Sequence, residues 1–240
     1  MRVHTAYEGA LGDHFAHRAT DSPYNAYTDR PAVLALAGDV TGLRVLDAGC
    51  GAGHYITELR ARGAAEVVGV DGSATLLGHA RERIAGDPAV RLHRHDLEEP
   101  LTFLADSSFD VVVMALVHHH VEARRQLLAE MHRVLRPGGV LVLSTTHPIA
   151  DWTWHGGSYF DEERVEATVG DGLTINYRRM TLQTFLNELL DAGFALERVA
   201  EPRAAEEARR VDERRYLKTQ RTPFFLAVRM RKDPGTLATR

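Results

Sequence analysis

Residues 45–53 read Val-Leu-Asp-Ala-Gly-Cys-Gly-Ala-Gly. Val45 and Leu46 fit the end of a buried parallel strand. Gly49, Gly51 and Gly53, at every second position, let the backbone turn sharply and approach a ligand with no Cβ in the way. A helix is expected to begin near His54. The dinucleotide fingerprint Gly-x-Gly-x-x-Gly is not met, because the position three after Gly51 is His54. An acid also leads the glycines. Asp47 places a carboxylate at the mouth of the strand, where it would repel a pyrophosphate and hold a ligand carrying ammonium or sulfonium charge. The turn therefore reads as a cradle for a cationic cofactor.

Working outward, Val67-Val68-Gly69-Val70-Asp71 is a second apolar run ending in an acid, 20 residues past Gly51, and Gly72-Ser73 then opens a helix. Val90 to His95 reads as a third strand leading to Asp96-Leu97, and Asp110 to Leu116 as a fourth. Residues 127–144, with Val134-Leu135-Arg136-Pro137-Gly138-Gly139 at their centre, read as helix, turn and fifth strand. Each piece alone has a plain structural reading: glycine turns occur for packing, and strand-end carboxylates often cap helices. A structural origin must, however, explain the acids at 47, 71 and 96 independently.

Together and in this order, these stretches resemble the class I S-adenosylmethionine (SAM)-dependent methyltransferases, in particular a type 11-like, small-molecule branch. The resemblance covers residues 22–148 and, more loosely, Tyr177-Arg178-Arg179, Leu190 to Phe194 and Glu201-Pro202. It implies an α/β, Rossmann-like fold: a seven-stranded, mostly parallel sheet with the last strand antiparallel and helices on both faces. It implies SAM as cofactor and S-adenosylhomocysteine (SAH) as product. In the residue roles it implies, Gly49, Gly51, Gly53 and Gly72 surround the cofactor and Asp47 lies near its amino-acid end. Asp71 accepts from the ribose hydroxyls, Leu76 sits against the adenine face, Asp96 accepts from the adenine amino group, and the Leu97 amide contacts the ring. Tyr24, Asn25 and Tyr27 are similar to a lid segment that touches the methionine end in related enzymes.

At 240 residues and 44% hydrophobic, the chain can bury a sizeable core as one methyltransferase domain (1–240). Residues 1–38 are expected to form an N-terminal lid, 42–148 the SAM-binding core, 149–180 a substrate-capping insertion, and 181–232 the C-terminal part of the sheet. That last part holds a helix over 181–192 and strands over 195–199 and 224–230. Residues 204–217 read as one helix whose mixed charges suit a solvated face. A net charge of -4 offers no field for a phosphate backbone, so a small-molecule acceptor is expected rather than nucleic acid, and a homodimer stays open. No run of 18 apolar residues and no leader is visible, so the expectation is a cytoplasmic protein with no membrane span. The single Cys50 cannot form an internal disulfide.

Methyl transfer from a sulfonium is an in-line displacement that chiefly needs alignment and exclusion of water. A hydroxyl or activated-carbon acceptor also needs a base, and histidine suits neutral pH. His118-His119-His120 follows the fourth strand, and by resemblance His119 matches a histidine common in the small-molecule branch. His147-Pro148 follows the fifth strand. His119 and His147 are thus the candidate bases, with His118 and His120 lining the acceptor pocket. No metal is expected, since neighbouring side chains of an extended segment alternate faces. Trp152, Trp154 and Tyr159 are candidates to line an apolar acceptor pocket. The expected activity is methylation of a small molecule, as in secondary metabolism, with O- or C-acceptors favoured over N. Two alternatives stay open: a protein that keeps SAM without methyl transfer, as a cyclase or binding module, and an RNA methyltransferase.

Overall fold

The computed structural model describes residues 7–168 and 172–233. Residues 1–6 of the expected lid and 169–171 of the expected insertion lie outside the described residues. The strands are β1 Arg44–Ala48, β2 Glu66–Asp71, β3 Val90–Arg94, β4 Phe109–Ala115, β5 Leu135–Thr146, β6 Arg164–Thr168, β7 Thr174–Arg178, β8 Phe194–Ala200 and β9 Phe225–Lys232. The α-helices are α1 Ala10–Asp21, α2 Arg30–Ala37, α3 His54–Ala61, α4 Ala74–Ile84, α5 Arg124–Val134, α6 Pro148–His155, α7 Leu182–Asp191, α8 Ala208–Val211 and α9 Glu213–Thr219. A π-helical turn spans Asn25–Asp29 and a 3₁₀ turn His118–His120.

Seven strands form one sheet in the order β3-β2-β1-β4-β5-β9-β8, with β9 antiparallel to both its neighbours and the other pairs parallel. The sheet is the seven-stranded one expected. Its central strands carry apolar residues on both sides, as in Val45-Leu46, Val67-Val68 and Val111-Val112-Val113, because both faces are covered. Val45, Val67, Val111 and Val142 point into one layer, with Val33 and Leu34 of α2, Ile56 and Leu59 of α3 and Leu77 of α4. Leu46, Val68, Val112 and Leu143, one residue further along each strand, point into the other layer, with Leu127 and Met131 of α5 and Phe185 and Leu189 of α7.

The chain runs outward from β1 to β3 on one side and from β4 to β5 on the other. The strand order therefore reverses between β1 and β4, and a crevice opens at their carboxyl ends.

The expected helix over 204–217 is instead two short helices. Asp212, at φ -157° and ψ 96°, breaks the chain between them, and its side chain accepts from the Arg215 amide to cap α9. The segment 149–180 holds α6 and the antiparallel hairpin β6–β7.

Candidate active site

A cavity of about 490 Å³ occupies the crevice at the strand-order reversal. Its floor is the glycine turn. The amides of Gly49 and Cys50 donate to the Val70 carbonyl at 2.7 and 3.0 Å, which ties the turn to the end of β2. Gly49 and Gly51 both line the cavity, at φ +81° and +53°. A Cβ at Gly49 would collide with Val117, whereas one at Gly51 would meet only Leu76, at 4.0 Å. The missing side chain of Gly51 therefore leaves open space. Gly53 serves packing instead: a Cβ there would press on Ala80 of α4 at 3.2 Å, and the residue does not line the cavity.

Asp71 fastens the two sides of the site together. Its Oδ2 accepts from the Gly51 amide and its Oδ1 from the Ser73 amide, both at 2.8 Å. Ser73 in turn caps α4, its Oγ accepting from the Leu76 amide. Burial raises the Asp71 carboxyl above the usual carboxylate range, and these amide donors pull it back. Gly72, Leu76, Asp96 and Leu97 stand beside Asp71 in the lining, so the sequence places this side of the cavity residue by residue. Asp47 lies one layer deeper, 1% exposed and outside the lining. Burial, aided by the charge of Asp71, pushes its carboxyl up to about 8.

The N-terminal segment reaches the cavity through Tyr7, Phe15, Ala19, Asn25, Asp29 and Arg30. Tyr24 and Tyr27 face elsewhere. The Tyr24 ring lies 4.9 Å from that of Phe224, and the Tyr27 carbonyl accepts from the Ala205 amide. The π turn, closed by the Asp29 amide on the Tyr24 carbonyl, rotates the tyrosines outward and brings the residues after them in. Asp29 is 1% exposed, and the Tyr55 hydroxyl donates to its Oδ2 at 2.6 Å, while Oδ1 has no hydrogen-bond partner among the described residues. Burial pushes this carboxyl up to about 6. Arg30 donates to the Ala19 carbonyl, and its Nε is likewise buried without a partner.

The three strand-end histidines are splayed by the 3₁₀ turn. Successive side chains of such a turn point about 120° apart, which differs from the alternation of an extended segment. His118 is fully buried against Phe185, with Nε2 3.1 Å from Glu188, so it faces the α5–α7 layer and not the acceptor pocket expected for it. His119 is also buried, with Nδ1 3.0 Å from the Thr145 hydroxyl and its ring 5.3 Å from that of Tyr177. Of the three, His120 lines the cavity. His147 caps α6: its Nδ1 accepts from the Ile149 amide at 3.1 Å and its Nε2 donates to Glu201 at 2.9 Å. That leaves no lone pair for a substrate, and His147 lies outside the lining.

Trp152, Trp154 and Tyr159 are not in the lining either. Trp152 donates to the Gly157 carbonyl, Trp154 is exposed, and the Tyr159 hydroxyl accepts from the Leu182 amide. The insertion reaches the cavity through Arg164 and Asn176 of the hairpin. Neither residue carries a sequence signal, since only the hairpin pairing brings them to the rim. Leu116, also in the lining, holds φ +58° as the chain leaves β4. That strained backbone costs on the order of 1 kcal/mol and is held in place by its surroundings. Among the described residues, no group of three or more His, Cys, Asp or Glu side chains is set to hold a metal, and no helix is long and apolar enough to cross a membrane.

A crevice at the strand reversal, floored by glycines and flanked by an acid at the end of β2, defines a nucleoside-cofactor site on a doubly wound sheet. Comparison with known proteins agrees with that class. A family model described as a methyltransferase domain matches residues 46–143. A Mycobacterium tuberculosis protein named "Probable S-adenosylmethionine-dependent methyltransferase" is 33% identical over 207 residues, covering 74% of this chain and 68% of its own. The malonyl-[acyl-carrier protein] O-methyltransferase of Pectobacterium atrosepticum is 38% identical over 118 residues, which is 49% of this chain and 44% of that one. Among solved structures, the S-adenosylmethionine dependent methyltransferase from Mesorhizobium loti superposes with a TM-score of 0.67 at 29% identity, covering 84% of this chain and 96% of that one. The chain belongs to the SAM-dependent methyltransferases, and SAM is its cofactor.

Proposed function

We propose that the cavity holds SAM with the ribose on Asp71, the adenine beside Leu76 and Asp96-Leu97, and the amino-acid end toward Asp29 and Arg30, and that the methyl acceptor is a small molecule. The carrying observation is that one cavity is lined by Asp96, Asp71, Gly51 and the Asp29–Arg30 pair together. The donor set fits. Asp71 keeps lone pairs beyond the two amides it already binds, and Gly51 leaves the space a Cβ would fill. At the other end, Asp29 and Arg30 both line the cavity, and their opposite charges suit an ammonium and a carboxylate.

SAM supplies a methyl carbon on a cationic sulfur, and the residues around it align and shield. Asp71, with Glu98 and Glu122 in the lining, gives the cavity carboxylates suited to that cation. Phe15, Leu116, Val117 and Val121 supply apolar wall, and Arg164 and Asn176 close the rim. A volume of about 490 Å³ falls in the range of small-ligand pockets. Oxygen acceptors are favoured by the O-methyltransferase relative and by the carboxylates near His120. Glu98 is held by the amides of Glu122 and Ala123, and Glu122 by Arg164 and Arg178, so neither is free to orient an amine. The test is incubation with methyl-labelled SAM and a protein-free metabolite extract. Label in a small product supports this reading, and label confined to a nuclease-sensitive fraction overturns it.

A further inference from the structure

Two ring nitrogens of one histidine are sorted by their neighbours. The Nδ1 of His120 lies 3.2 Å from the backbone carbonyl oxygen of Asn176, and its Nε2 lies 3.3 Å from the Tyr7 hydroxyl. A carbonyl oxygen only accepts, so Nδ1 carries the ring proton. Nε2 is then a lone pair, and the Tyr7 hydroxyl donates to it. Tyr7, His120 and Asn176 all line the cavity, so this lone pair belongs to the cavity wall. We propose that His120 is the catalytic base of the transfer and that the acceptor is a hydroxyl compound, whose O–H displaces the Tyr7 hydroxyl from Nε2. The inference rests on the cofactor placement above.

The groups around His120 support that division of roles. Tyr7 stays protonated, because burial and the nearby Asp71 carboxylate push its hydroxyl far up, so it serves as a donor and does not compete as a base. His119 is turned to Thr145 and His118 to Glu188. Tyr177 presents its ring edge to His120, and its hydroxyl is spent on Asp151. Arg164 on β6 is the nearby cation, and burial with its charge pulls the His120 imidazole down to about 4. The ring is thus neutral at physiological pH, with its lone pair unprotonated. His54 also lines the cavity, but it stands on the glycine-turn side, where burial, together with the charges of Arg30 and Arg83, opposes a proton on its ring.

A weak base is sufficient for this step. As the acceptor oxygen bonds to the methyl carbon, the carbon–sulfur bond breaks with its electron pair left on sulfur, and the hydroxyl proton passes to Nε2. An oxygen forming that bond becomes far more acidic than an imidazolium, so transfer to a base of low pKa is downhill. The imidazolium then returns its proton to solvent as product leaves, and no oxidant or reductant enters the balance.

The test has two arms on the full chain. In the first, histidine-labelled ¹⁵N spectra of the SAH complex at pH 7 are assigned to His120 by the signals lost in His120→Gln. A protonated Nδ1 with a bare Nε2 is expected, and a protonated Nε2 overturns the proposal. Failure of SAH to bind at all strikes the cofactor placement instead and is read separately by calorimetry. In the second arm, methyl-labelled SAM is incubated with the metabolite extract. His120→Ala should slow labelling by about 100-fold, keep SAH affinity within about twofold of wild type, and recover rate on addition of free imidazole. A loss below tenfold, or a loss that imidazole does not rescue, overturns the base. Label released from the product by hydriodic acid as methyl iodide marks an O-methyl group, and label that resists release overturns the hydroxyl acceptor. If the wild type labels nothing in the extract, the ring tautomer decides alone.

Discussion

The carboxylate of Asp71 reaches back 20 residues to take the Gly51 amide at 2.8 Å, so the acid at the end of one strand fixes the ligand turn at the end of its neighbour. One side chain thereby anchors the turn and lines the cavity beside it. Asp71→Ala should weaken SAH binding by about 1.5 to 3 kcal/mol, the worth of charge-assisted hydrogen bonds. It should also lower the melting temperature of the cofactor-free protein, because the Gly51 and Ser73 amides lose their acceptor. Calorimetry and a thermal melt read the two effects, and unchanged affinity would remove Asp71 from the ribose site.

Asp29 and Arg30 are expected to read the amino-acid end of the cofactor. Arg30→Ala should lower SAH affinity by tenfold or more, consistent with loss of about 1.5 to 3 kcal/mol from a charged hydrogen bond. The same variant should leave the affinity for 5′-methylthioadenosine, which has no amino-acid end, near the wild-type value. Equal losses for both ligands would place Arg30 away from that end.

Asp47 predicts a pH dependence with a definite sign. Its carboxyl is pushed up to about 8 in the folded protein, against about 3.9 in an unfolded chain. Folding thus favours the protonated form. The stabilisation is complete below about pH 4 and is lost as pH rises through about 8. The cofactor-free wild type should therefore lose melting temperature as pH rises from about 5 to about 8, and Asp47→Asn, which cannot ionise, should lose markedly less. Parallel melting curves for the two proteins across that range would show that Asp47 does not titrate there.

His147 is a cap. Because its Nδ1 holds the first turn of α6, His147→Ala should cost about 1 kcal/mol of stability and leave SAH affinity unchanged. A drop in SAH affinity without a drop in melting temperature would return His147 to the binding site.

The sheet and the cavity wall from Gly51 to Asp71 and Asp96 were legible in the sequence because their signals are local. A strand covered on both faces shows as a run of consecutive apolar residues, and an acid or glycine just past its end occupies the crevice by position alone, as Gly51, Asp71 and Asp96 do. The acceptor side was less legible because its residues arrive through turns of unusual pitch and through long-range pairing. A 3₁₀ turn points His118, His119 and His120 in three directions, so three consecutive letters carry three different roles. The π turn exchanges Tyr24 and Tyr27 for Asp29 and Arg30. Arg164 and Asn176 reach the rim only because β6 pairs with β7, and nothing in their immediate neighbours announces it. The aromatic residues Trp152 and Trp154 suggested a pocket by composition, but α6 turns them to the surface.

The most direct test of the central claim is a crystal structure of the protein grown with SAH. The account predicts the ribose hydroxyls on the Asp71 carboxylate, the adenine beside Leu76 and Asp96, and the backbone of Gly51 against the ligand. Density for SAH that makes no contact with Asp71 or the glycine turn would contradict it.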